Sequence, residues 1–274
     1  MINKIIGFYA ITDDLLKAIG HQDDCRRLMT DAEILTTAFT AALFFHGNQT
    51  LARQYLAETG LIPKMLDKSR FCRRLHQLSD LLYDLFHQVG MIIKQSDETS
   101  EYLLDSFPVA VCDNIRIRKA RLVRRADYRG YIASLKRYFY GIRVQLLSTA
   151  TGIPVEFVFL PGAANDVRAF GALPLFLPAN SQVYADSAYT DYQVEDEIKQ
   201  ADSVEMKVFR KKNYRRKDRG WEHFYKQVKR HRIETVFSDI NKLIPKSVHA
   251  VTDRGFFLKV SCFIVAFTFD KAFL

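Results

Sequence analysis

Cysteine is scarce. The chain has four, Cys25, Cys72, Cys112 and Cys262, and no two of them stand as C-x-x-C. That excludes a disulfide framework and a thiolate zinc site, and makes a reducing cytoplasm the expected compartment. Long apolar runs are lacking too. The longest, Val260 to Phe269, is too short to span a bilayer and reads as a buried strand or helix. The opening Met1-Ile-Asn-Lys-Ile-Ile-Gly has neither the apolar core nor the cleavage site of a secretion signal, so no membrane partner is expected. Internal repeats and low-complexity tracts are absent. Acids are in deficit: 31 Asp and Glu stand against 40 Lys and Arg, a net charge of +9. Such a surplus suits a polyanion, nucleic acid or an anionic surface. With 274 residues, 48% of them hydrophobic, the chain can bury a substantial core as one large domain or two smaller ones.

What is present divides near residue 98. The first part is helical by pattern. Ala32-Glu-Ile-Leu-Thr-Thr-Ala-Phe-Thr-Ala-Ala-Leu-Phe-Phe is densely apolar behind a cap at Thr30 or Asp31, and Gly47-Asn48 closes it. A shorter helix, about Thr50 to Thr59, ends at Gly60. Next, Phe71, Leu75, Leu78, Leu82 and Leu85 recur at helical spacing, with Arg70, Arg73, Arg74 and His76 crowding the first turns. Two helices, the second basic at its start, give the outline of a helix-turn-helix. Residues 1–98 are thus expected to be an all-α DNA-binding domain.

After the polar stretch Lys94 to Ser100 the pattern turns to strands. Tyr102-Leu-Leu-Asp-Ser-Phe is one, and Pro108 requires it to end, bulge or lie at an edge. Tyr138 to Thr149 and Ile153 to Leu160 form a hairpin around Thr151-Gly152. Asn165-Asp166 caps a short helix before Pro174. Val183 to Ala185 is a short buried strand that stops on Asp186, and Thr190 with Gln193 has capping-box spacing for the helix that follows. A short strand at Val204 to Phe209 leads to a long helix from about Gly220 to Ile244, stopped by Pro245. On that helix Trp221, Phe224, Tyr225, Val228, Val236, Ile240 and Leu243 mark the packed side. The order is that of a mixed α/β sheet with flanking helices, over residues 99–274.

In open α/β sheets, residues just past the carboxyl end of a strand face the ligand crevice. Asp186 has that place; alone it would read as a turn starter. Asp105 lies in an apolar run, and Glu234 follows Arg230-His-Arg-Ile on the final helix. Carboxylates suit hard divalent cations, which keep several waters and need few protein ligands. Two such ions about 4 Å apart activate a water and stabilise a leaving oxygen in phosphoryl transfer. Three clustered acids in a basic protein that approaches a phosphodiester make electrostatic sense only with metal.

These residues carry a resemblance. Leu103-Leu-Asp105-Ser-Phe-Pro, Tyr184-Ala-Asp186-Ser-Ala-Tyr189 and Arg230-x-x-Ile-Glu234-Thr-x-Phe-Ser resemble the three acidic motifs of the DDE transposases of bacterial insertion sequences. Tyr138-Phe-Tyr-Gly-Ile-Arg-Val, Gly152-Ile-Pro-Val-Glu-Phe and Phe71-x-Arg73-Arg74-Leu-His are similar to that group as well. The resemblance implies a ribonuclease-H-like fold and two magnesium ions, with manganese as substitute. It also implies cutting and joining of element ends in double-stranded DNA, by a homodimer when two ends are paired. Asp105, Asp186 and Glu234 would be the catalytic metal ligands. The chain departs from a related tyrosine-arginine-glutamate-lysine signature: Arg230 is present, but Gln227 and Asn241 stand in the tyrosine and lysine places.

Other residues compete for these roles. Asp113 is an alternative to Asp105 if the strand runs on past Pro108, but Asp105 is preferred because it sits inside the apolar run and matches the motif. Asp166 reads as a helix cap, and Asp191 and Asp239 as helix-surface residues. Basic residues cluster twice, from Arg116, Arg118 and Lys119 through Arg121, Arg124 and Arg125 to Arg137, and from Arg210 through Arg215 and Arg216 to Arg219. Both runs lie between acidic motifs, where they can flank a DNA groove and neutralise phosphates. Arg230 can steer a phosphate or orient Glu234, and also has the spacing of an ordinary i,i+4 ion pair. Recognition of the element end falls to Arg70, Arg73 and Arg74.

Overall fold

The structure, a computed structural model, describes residues 1–112, 117, 120–132, 136–164, 173, 175–211 and 213–274. Among them, eight α-helices form: α1 (Ile2–Ala18), α2 (Asp31–Phe44), α3 (Gln49–Glu58), α4 (Lys68–Gln77), α5 (Ser79–Ser96), α6 (Tyr192–Asp202), α7 (Gly220–Leu243) and α8 (Asp253–Phe273). The six strands are β1 (Glu101–Cys112), β2 (Arg129–Ile132), β3 (Arg137–Thr149), β4 (Pro154–Pro161), β5 (Gln182–Ala185) and β6 (Glu205–Val208). Two compact units result: residues 1–88 with 240–274, and residues 89–239. The helix read as Asn165-Asp166 onward, together with Asp113, Arg116, Arg118 and Lys119, lies outside the described residues.

The helical unit is built on α2. Its start is a capping box: the Glu33 N–H donates to the Thr30 hydroxyl at 3.1 Å, and the Thr30 N–H donates to the Glu33 carboxylate at 2.7 Å. Thr30 is therefore the cap, not Asp31. Ile34, Leu35, Ala38, Phe39 and Ala42 are buried on a helix with almost no polar face, so neighbours must cover it on every side. α1, α3, α4 and α8 do so. Phe39 sits between Phe8 and Phe269, ring centres 6.0 and 5.4 Å away. Burying each such ring contributes about 1.5–3 kcal/mol. The apolar run Val260 to Phe269 is thus the middle of helix α8, capped by Thr252. A chain-order division at residue 98 does not address this return of the last helix to the first unit in space.

One long helix from Ser69 is expected; the structure breaks it at Leu78 into α4 and α5. The Ser79 hydroxyl donates to the His76 carbonyl at 3.1 Å and receives the Arg254 guanidinium. That side chain takes over a carbonyl a continuous helix would use, which is how serine competes with helix bonding. Residues 59–67 join α3 to α4, a longer connection than the three or four residues of a compact helix-turn-helix.

In the second unit the sheet order is β2-β3-β1-β5-β6, with β4 also on β3. β1 runs antiparallel to β3 and parallel to β5, and β5 is parallel to β6. β1 continues through Pro108 to Cys112. The proline is tolerated because pairing with β5 stops at Leu104, so at Pro108 β1 pairs only with β3 and has an open edge there. At the β3–β4 turn, Gly152 has φ +92°, and a Cβ there would stand 2.6 Å from Val236 Cγ2. Glycine thus serves both the turn and the approach of α7. Beneath the sheet Lys94 and Glu156, 1% and 7% exposed, pair at 2.7 Å. Such a pair adds little net stability but is costly to halve.

Helix α6 is capped by Asp191, whose carboxylate accepts from the Gln193 and Val194 N–H groups at 3.1 and 3.3 Å. The expected Thr190 cap is displaced because the Thr190 hydroxyl donates to the Ser187 carbonyl instead. On α7 the packed side also differs from expectation. Trp221 and Phe224 are 66% and 68% exposed, and Val228 and Tyr225 are exposed with them. The covered residues are Ile233, Val236, Phe237 and Ile240, so Val236 and Ile240 lie on the packed side as expected, with Phe237 5.5 Å from Phe107. Hydrophobic content marked two faces of this helix, and packing chose one.

Candidate active site

Strand register brings the first two acids together. Leu103 pairs with Tyr184 and Leu104 with Ala185 across the parallel β1–β5 ladder. The next residues in step are Asp105 and Asp186, on strands about 4.8 Å apart. Each carboxylate accepts the N–H of the serine that follows it, Ser106 at 2.7 Å and Ser187 at 2.6 Å. A short side chain bonded to its own backbone has few rotamers left, so both acids are held where the ladder ends. Asp186 also caps the short turn Ser187–Tyr189.

Glu234 comes from α7. With Asp105, Asp186 and Arg230 it lines one small cavity of about 50 Å³, together with Tyr184, Lys207, Phe209, Lys226 and Ile233. Three side chains fix the helix along the sheet. Lys226 donates to the Val208 carbonyl at 3.0 Å and to Asp218 at 2.5 Å, Lys229 donates to Glu101 at 2.5 Å, and Arg232 donates to the Thr151 carbonyl at 2.8 Å. They touch β6, the start of β1 and the β3–β4 turn, so the height of Glu234 over the strand ends is set from three sides. Burial alone would raise the Glu101 carboxyl, but hydrogen bonds from Lys229 and Tyr225 outweigh it and hold the group below its ordinary value.

Arg230, one turn before Glu234, lies 3.4 Å from it and 3.9 Å from Asp186. The sequence spacing offered both an ion pair within the helix and a substrate-facing residue; the geometry adds a second acid from another element. Lys207 and Lys226 were missed. Lys226 precedes Arg230 by four residues and so shares its face, which was the available signal. Lys207 had none, since nothing in the chain forecasts which way a side chain of β6 points.

The basic residues separate by burial. Arg121, Arg124, Arg125 and Arg129 line an open cleft of about 720 Å³, where the Tyr140 hydroxyl donates to the Val123 carbonyl at 2.6 Å. Arg215 is exposed, and Arg216 is exposed while paired in two bonds with Asp196 at 2.9 and 2.6 Å. Arg210 is not part of that surface: it is 7% exposed and bonded to buried Glu195. In the helical unit Arg70 and Arg73 face solvent. Arg74 turns inward to Asp31 and to the Met29 carbonyl, which commits its guanidinium to the fold. Asp31 is 1% exposed and is also met by Arg27 and His21. Burial would raise its carboxyl, but the Arg74 and His21 bonds outweigh that and hold it below the ordinary value. Among the described residues, it is His21, Asp23 and Asp31 whose ligand atoms close to within 4.8 Å of one another, not the acids of the cavity. Asp31 is already matched by cations there, so we read this cluster as part of the fold.

A mixed sheet of six strands with flanking helices, preceded by a helical region, is the architecture of the ribonuclease-H-like class of polynucleotidyl transferases and endonucleases. The family described as Transposase DDE domain matches residues 95–250, more than half of the chain. The chain belongs to that family of transposases. No curated protein and no solved structure matches it. The family implies a DNA substrate and, in general, a divalent metal. Among the described residues no helix is long and apolar enough to cross a membrane.

Proposed function

We propose that this transposase cuts the ends of an insertion element and joins the freed 3′ hydroxyl to target DNA, using Asp105, Asp186 and Glu234. The observation that carries the reading is the register that sets Asp105 beside Asp186, with Glu234 on the same cavity. All donors there are carboxylate oxygens, the set that suits magnesium, or manganese in its place. When bound, a pair of ions supplies an activated water and a stabilised leaving oxygen. The chain does the rest by positioning. Ser106 and Ser187 fix the two aspartates, and Lys226, Lys229 and Arg232 fix the height of Glu234. Phosphates are taken by Arg124 and Arg125 in the open cleft and by Arg215 and Arg216 before α7. These contacts position DNA without reading bases. Recognition of the element end rests on the helical unit through Arg70 and Arg73, and pairing two ends requires a homodimer. The work is done in the cytoplasm.

The test is an element-end duplex, intact and pre-cut, incubated with magnesium or manganese. Cleavage and joining are expected, with both lost on chelation and in Asp186→Asn. Cleavage without joining of the pre-cut end would make the protein a structure-specific nuclease. Binding that survives chelation with no cleavage would make it a DNA-binding protein whose acids are structural.

A further inference from the structure

Three cations line the acidic cavity, and two are committed elsewhere. Lys226 is bound to Asp218 and the Val208 carbonyl, and Lys207 to Glu205 at 2.8 Å. Arg230 differs. Its guanidinium spans Asp186 and Glu234, two acids from separate elements, and packs over the Phe209 ring at 5.8 Å. Resting on the reading of this cavity as a metal site, we propose that Arg230 is the internal counter-ion of the site. It neutralises Asp186 and Glu234 until a divalent cation is bound, and then gives them up.

The argument is electrostatic. Acids brought together at one cavity repel one another, and a positive charge between them offsets that repulsion. A monovalent guanidinium at 3.4 and 3.9 Å supplies it loosely, because its side chain is 46% exposed and such pairs are worth little in solvent. A cation of twice the charge, coordinated directly, outcompetes it. Binding metal and releasing Arg230 are then one equilibrium, and the arginine lowers metal affinity by competing for the same oxygens. A residue that merely braced α7 would have no such effect on affinity.

Binding of Mn2+ to the full chain without DNA, followed by the resonance of the free ion, tests this. Arg230→Gln should bind the ion up to about tenfold tighter than wild type, the order expected from removing two competing ion pairs that are partly exposed to solvent. Arg230→Lys keeps the charge and should stay near wild type. Added Mn2+ should also raise the unfolding temperature more in Arg230→Gln. Unchanged or weaker binding in Arg230→Gln, or an equal gain in Arg230→Lys, overturns the counter-ion role. The double variant Asp186→Asn with Glu234→Gln separates the two ideas: if it binds Mn2+ as wild type does, the reading of the cavity as a metal site fails instead.

Discussion

Two arginine–carboxylate clusters stand in the two units, and they are built oppositely. In the helical unit Asp31 is closed in by Arg74, Arg27 and His21, with side chains 1% and 14% exposed for the Asp31–Arg74 pair. In the sheet unit Arg230 meets Asp186 and Glu234 in a solvent-reached cavity at longer distances. The chemistry of the pairs is the same and the surroundings are not. Closing a pair in makes it indispensable, because either partner left alone is a buried charge. Leaving it open makes it exchangeable. A fold uses the first kind, and the proposed metal site, which would admit a cation and a phosphate, uses the second.

The sharpest break of that contrast is in stability. Asp31→Asn breaks a pair whose acid is 1% exposed and whose Arg74 partner is 14% exposed, and should cost about 3–5 kcal/mol, read by denaturant unfolding. Glu234→Gln should cost less than about 1 kcal/mol. Equal losses would erase the distinction. Lys94→Met belongs with the first kind: it isolates Glu156 and should cost a similar amount, while Lys94→Met with Glu156→Leu should recover most of it.

A smaller effect is expected at Glu101, whose bonds to Lys229 and Tyr225 stand between the two extremes. Glu101→Gln should cost about 1.5–3 kcal/mol at neutral pH. The folded carboxyl lies below its ordinary 4.5, so its contribution is complete above that value and is lost as pH falls through the lower folded value. Thermal unfolding should show wild type and variant converging under acid. A gap that persists under acid would mean that packing, not charge, holds the end of α7.

The smallest effect on stability falls on exposed Arg70 and Arg73. Replacing both with Gln should move stability by no more than about 0.5 kcal/mol. If they meet phosphates, each should lower the salt slope of DNA binding by about 0.9. Arg74→Gln should instead destabilise the helical unit, although the sequence presents all three arginines alike.

That last point shows how much the chain discloses. Phe71 and Leu75 face inward by period alone, and Arg74 beside them is drawn in because Asp31, on a helix well before it in the chain, needs a cation. Such partners are far apart in sequence, so no local pattern reveals them. Strand β5 ending on Asp186 was legible because the apolar run of Val183, Tyr184 and Ala185 gives way there to a carboxylate, small residues and a helix start. Its neighbourhood with Asp105 was not, since register is fixed only when β1 and β5 pair. The covered face of α7 was misread at Trp221, Phe224 and Val228 for a related reason: a helix apolar on two sides does not say which side the sheet will take. β2 was missed because its four residues, Arg129 to Ile132, are too few and too polar to form a strand without β3 beside them.

The central claim is that Asp105, Asp186 and Glu234 act as one site. Cleavage of an element-end duplex with magnesium, measured beside binding of the same duplex, tests it most directly in Asp105→Asn, Asp186→Asn, Glu234→Gln and their combinations. Each single change should remove cleavage and joining, and the combinations should lose no more than the singles, because the residues act as a unit. DNA binding should be unchanged or slightly tighter, since repulsion between acid and phosphate is relieved. Full cleavage by Glu234→Gln, or losses that simply add, would contradict the account.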